Sequence, residues 1–87
     1  MISSGQMRAA RALLGMDQKA LAAAAGLSLP TIQRMEASDG QVRGVVESLV
    51  RVVNALEAAG IDLIAEGAPS PGGGRGVRLS GRRRSND

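Results

Sequence analysis

Residues 18–36 read Gln-Lys-Ala-Leu-Ala-Ala-Ala-Ala-Gly-Leu-Ser-Leu-Pro-Thr-Ile-Gln-Arg-Met-Glu, and their spacing decides the fold. Asp17, just ahead of them, is an N-cap residue whose carboxylate can accept orphan backbone N–H groups and favour the positive end of a helix over 18–25. Gly26 ends that helix, because it takes up the left-handed conformation that a sharp turn demands. Ser28 restarts the chain as a second N-cap, with Leu29 and Pro30 in the first turn, where a missing N–H does no harm. Leu21, Leu27, Ile32 and Met35 are expected to point inward, small Ala22 to sit where the helices cross, and Gln33 and Arg34 to face solvent. Two helices joined by a tight Gly-containing turn form the unit that can place its second helix in the DNA major groove.

Working outward, Ser3 or Ser4 can cap a first helix running to about Leu14. Met7, Ala10, Leu13 and Leu14 share one of its faces, and Gly15 is its stop. The helix begun at Leu29 is expected to reach about Ala37, with Asp39-Gly40 breaking it. A longer helix over about 45–59 follows from the stripe Val45 or Val46, Leu49, Val52 or Val53, Leu56 and Ala59. Its valines lower helix propensity, so packing must hold it, and they exceed what one thin domain easily hides, so core and dimer seam are both open readings. After Gly60, residues 61–65 and the alternating Val77-Arg78-Leu79 are short strand candidates. Between them, Pro69, Pro71 and the Gly triplet at 72–74 mark a flexible loop. It lacks the G-x-x-x-x-G-K-[ST] pattern of a phosphate loop. The expected organisation is a helical domain over 1–60, a strand, Gly-rich loop and strand over 61–80 that could serve dimerisation, and a disordered basic tail over 81–87.

Composition narrows the function. The chain has 87 residues, 44% hydrophobic and 22% charged, which suits one small domain whose marginal core makes self-association a natural supplement. It contains no Cys and no His, removing thiol nucleophiles, Cys/His metal sites and His acid–base chemistry. Only scattered carboxylates remain, so an enzyme is not expected, nor any cofactor or metal. Aromatic residues are also absent, leaving nothing to stack on unpaired bases. The net charge of +3 is uneven. Residues 1–66 hold six Lys/Arg against seven Asp/Glu, and residues 67–87 hold five Arg against Asp87 alone. Basicity therefore belongs to the C-terminus, and a DNA-binding reading must rest on geometry rather than on overall charge. No leader or membrane span is visible, which points to a cytoplasmic protein with no membrane partner.

The same residues resemble the Cro/cI-type, or XRE, helix-turn-helix family. The resemblance covers roughly residues 6–59 and rests on Ala-Arg-Ala-Leu-Leu-Gly (10–15), Leu-Ala-x-x-Ala-Gly-Leu-Ser (21–28) and Thr-Ile-x-x-x-Glu (31–36). It implies a mainly α fold: a four-helix lambda-repressor-like helix-turn-helix domain with a short C-terminal strand or hairpin. It further implies base contacts from Ser28, Leu29, Pro30, Gln33 and Arg34. Of these, Arg34 suits guanine O6/N7, Gln33 suits adenine, and Leu29 or Pro30 could only meet a thymine methyl or shape. Phosphate contacts fall on Gln18, Lys19 and Thr31, and, in the loop after the recognition helix, on Gln41 and Arg43. Arg11 and Glu36 look like the family's structural ion pair, with no DNA role. The sequence departs from the pattern at Leu29 and Pro30, where polar readers are common, and at Val45, where a capping Ser or Thr often stands. Segments 56–63 and 76–79 are similar to the tails of small bacterial regulators of this family, whose strands pair within or between subunits.

Each reading has a plainer rival: an αα corner that never meets DNA, a solvated face for Gln33 and Arg34, a solubilising tail for Arg82, Arg83 and Arg84. The spacing favours a sequence-specific regulator of double-stranded DNA, a repressor acting as a homodimer on a palindromic operator. Two other uses of the fold are weighed beside it. One is the antitoxin of a toxin-antitoxin pair, with a protein partner at the C-terminal segment. The other is an antiactivator module that has lost DNA binding.

Overall fold

The computed structural model describes residues 2–42, 44–69 and 72–80. Four helices, α1 (Ser4–Leu14), α2 (Gln18–Ala25), α3 (Leu29–Glu36) and α4 (Val46–Ala58), lead into strands β1 (Ile61–Ile64) and β2 (Gly76–Leu79). The helices start where a side-chain oxygen can satisfy an orphan N–H. Ser3 accepts from the Gln6 N–H in a full capping box, Asp17 accepts from Ala20 N–H at 2.7 Å, and Ser28 accepts from Thr31 N–H at 3.2 Å. Only α4 starts without such a cap, because Val45 has no acceptor to offer. Gly26 turns the chain with φ of 69°, and a Cβ there would come within 3.0 Å of the Arg51 guanidinium lying across the corner.

Met7, Ala10, Leu21, Ala22, Ala25, Ile32, Met35, Leu49, Val52, Leu56 and Ile61 form the core, joined by Ile2 and Val42. Ala22 is buried at the crossing, as its size suggests, and Leu27 packs half-buried against the core. The α4 stripe is narrower than its sequence pattern. Leu49, Val52 and Leu56 are buried, whereas Val45 and Val46 are 68% and 67% exposed and Ala59 is exposed. The physical reason is reach: α4 packs on α2 and β1, so its first turn extends past both. Leu13 of α1 is likewise exposed although it shares the helix with buried Met7 and Ala10.

The strands pair antiparallel within one chain, Ile61 opposite Leu79 and Ile64 opposite Gly76. A two-stranded hairpin is marginal alone, and here β2 lies against α1 and β1 against α4. The segment ahead of α1 is also structured, which the sequence did not announce. Ile2 is fully buried, Ser3 bridges to Gln41, the Ser4 N–H donates to Gly40 O at 2.8 Å, and the Val42 N–H donates to Ile2 O at 2.9 Å. The tail over 81–87 lies outside the described residues, as does Arg43.

Candidate nucleic-acid interface

The outer edge of α3 begins at its capped N-terminus and runs through Leu29, Pro30, Gln33 and Arg34. Ser28, Pro30, Gln33 and Arg34 are exposed, and nothing among the described residues lies over them. Leu29 and Thr31 are half-buried, so Leu29 offers the reading edge less than its neighbours do. The hydroxyls of Ser28 and Thr31 share a hydrogen bond of 2.9 Å, and Arg34 Nη2 donates to Thr31 Oγ1 at 3.3 Å. Both bonds are exposed, so they can exchange for a base edge or phosphate oxygen without a large loss. Beside this edge, Thr31, Arg34, Met35, Gly44, Val45 and Ser48 line a groove of about 230 Å³ between α3 and the start of α4.

Behind the edge, Glu36 organises three elements. Arg11 reaches it with two bonds of 2.7 Å, Nε to Oε2 and Nη2 to Oε1, in the fork geometry that favours Arg over Lys. Gln18 Nε2 donates to the same carboxylate at 3.0 Å, and Arg8 Nη1 donates to the Glu36 carbonyl at 2.6 Å. Burial pushes the Glu36 carboxyl up, but the hydrogen bonds from Arg11 and Gln18 and the charges of Arg11 and Arg8 outweigh it, leaving the group below the usual range. The hydrogen bonds that Arg11 donates to Glu36 in turn hold the guanidinium above its ordinary value, against its own desolvation. One amide hydrogen of Gln18 is therefore committed inside the protein, and the other is left for an outward acceptor at the start of α2.

These bonds settle which cations face outward. Arg8 and Arg11 are spent at the end of α3, Arg51 pairs with Glu47 at 3.3 Å, and Arg78 pairs with Asp62. Lys19, Arg34 and Arg75 have no ion-pair partner among the described residues, so the near-neutral body still presents positive charge along α2 and α3, with Arg75 apart from them ahead of β2. Gln41 is exposed in the loop between α3 and α4. The bonds of Arg8 and Gln18 to Glu36 were not anticipated. The one hint in sequence is that Gln18 opens α2 and Arg11 lies in the last turn of α1, with Arg8 one turn before it.

No helix among the described residues is long and apolar enough to cross a membrane. No curated protein matches the chain. Residues 7–44 match the family model described as helix-turn-helix, a span that holds Arg11, Gln18, Glu36, the Gly26 corner and the exposed edge of α3. With that match and this geometry together, residues 7–44 are similar to the helix-turn-helix domains of Cro/cI-type DNA-binding proteins.

Proposed function

We propose that the protein is a transcriptional repressor that binds a palindromic operator as a homodimer, its half-sites about one helical turn apart. The observation that carries this reading is the uncovered edge of α3, with Gln33 and Arg34 exposed beside a corner locked by Gly26 and braced by Glu36. In this reading Arg34 and Gln33 read bases, with Ser28, Leu29 and Pro30 shaping the contact. Gln18, Lys19, Thr31, Gln41 and Arg43 hold phosphates. Self-association is supported by Val45, Val46 and Val50, all exposed on α4, since scattered polar residues would serve a purely solvated face better.

The test is a gel shift at low salt on the DNA upstream of the protein's own gene, followed by footprinting. Two protected half-sites related by a two-fold are expected. The absence of any shifted band would return the chain to a protein-binding module, and a single unpaired half-site would remove the dimer from the reading.

A further inference from the structure

Gln6 is 4% exposed and hydrogen-bonded on both ends of its amide. Its Nε2 donates to Ile64 O at 3.1 Å and to Gly76 O at 2.9 Å, the carbonyls of the last residue of β1 and the first of β2. Its Oε1 accepts from the Ser3 N–H at 2.9 Å. Ser3 in turn is the residue whose backbone bridges to Gln41, flanked by the bonds from Ser4 N–H to Gly40 O and from Val42 N–H to Ile2 O. One amide thus stands between the hairpin, separated from it by 58 and 70 positions, and the loop at 40–42.

We propose that Gln6 is a positioning residue through which the β1–β2 hairpin holds the loop carrying Gln41 and Arg43 at the DNA. The proposal rests on the reading of that loop as a phosphate contact. Capping alone does not explain the choice of residue. A Glu would serve the capping box equally, but would aim an oxygen at two carbonyls, and an Asn would fall one methylene short. The amide is the one ending that accepts from Ser3 while donating twice to the hairpin. Because linkage is reciprocal, DNA that fixes the loop also secures the hairpin.

The test uses the full chain and a random-sequence duplex, whose binding is governed by phosphate contacts. In Gln6→Met, which keeps the bulk and removes both polar ends, the plot of log affinity against log salt flattens by about 0.9, the share of the one phosphate that the loop's single cation neutralises. Hydrogen exchange of the Val42 and Ser4 amides quickens together with that of β2. Ser3→Ala, which removes the cap hydroxyl but no backbone bond, lowers the thermal midpoint and leaves the slope alone. Arg43→Ala separates the loop from the coupling. If it leaves the slope unchanged, the loop reading falls and the proposal with it. If it flattens the slope while Gln6→Met keeps the wild-type slope, the loop reading stands and the coupling through Gln6 is overturned. Should Gln6→Met not fold, the wild-type chain decides: exchange of the hairpin amides slows when duplex is added if the coupling exists, and unchanged exchange there overturns it.

Discussion

Arg34 and Gln18 sit one helix apart and differ in what holds them, which makes their substitutions separable. Arg34 has only a 3.3 Å bond to Thr31 to give up, so its fork is free to grip a guanine. Arg34→Ala should weaken operator binding by about 1 to 3 kcal/mol and relax preference at one base pair, whereas Gln18→Ala should weaken binding to all sequences about equally. Competition assays against operator and random duplex read the difference, and an equal loss on both for Arg34→Ala would refute base reading. Glu36 is a matter of folding. Its folded-state pKa lies below its ordinary value, so its contribution to stability is complete above the unfolded pKa of about 4.3 and is lost as pH falls through the depressed folded value. Glu36→Gln leaves Arg11, itself largely buried, without its counter-charge, at a cost of about 3 kcal/mol. Denaturant melts at neutral pH and on the acid side should show the variant already weakened at neutrality and losing less than wild type on acidification.

At the scale of elements, the left-handed glycines that close α1 and α2 offer a controlled comparison. Gly15 and Gly26 have φ of 66° and 69°, but a Cβ at Gly15 meets nothing within 4 Å, whereas one at Gly26 meets the Arg51 guanidinium at 3.0 Å. Both Ala substitutions should cost about 1 to 2 kcal/mol from backbone strain. Since the group in the way at Gly26 is the tip of a flexible side chain, the excess there should be small and should vanish in an Arg51→Ala background. A large excess surviving that background would assign it to the corner itself. Conversely, Val45→Ser supplies α4 with the acceptor it lacks, worth about 1 kcal/mol, or about 4 to 8 °C in thermal midpoint. The starts of α1, α2 and α3 were legible to within a residue because caps are local chemistry, and that of the uncapped α4 because its apolar stripe begins there. The exposure of Val45, Val46 and Leu13 was not, because periodicity shows which face is apolar but not how far the neighbouring elements extend. Nor was the role of Ile2, Ser3 and Gln6, since a bridge from residue 3 to residue 41 and an amide shared with residues 64 and 76 leave no periodic trace. At the site, the corner and the residues of its outer edge could be read in advance. The commitment of Arg8 and Gln18 to Glu36 could not, because it depends on where three helix ends converge.

The dimensions of the whole molecule constrain how two copies could read one operator. The body measures 34 × 33 × 21 Å, and reading edges set one turn of B-DNA apart must lie about 34 Å from each other. Two copies meet that spacing when they abut along a long dimension, with a contact region near the inner flank of each reading edge. Val45 satisfies the condition directly, because it lines the groove shared with Thr31 and Arg34, and Val46 and Val50 continue the exposed apolar surface from it along α4. The hairpin pairs its strands with each other and packs on α1 and α4, so only the outer edges of its two strands could join a second copy. If the proposed homodimer is seamed at these valines, Val46→Glu should dissociate it with little effect on the fold, since the residue is 67% exposed, and sedimentation velocity should find monomer at concentrations where wild type pairs. On a full operator the variant should lose the cooperative, two-site shift while keeping weak binding to an isolated half-site, because Gln33 and Arg34 are untouched. If Val46→Glu remains a dimer, the seam lies elsewhere, and if it loses half-site binding as well, the valine surface belongs to the DNA contact rather than to the second copy.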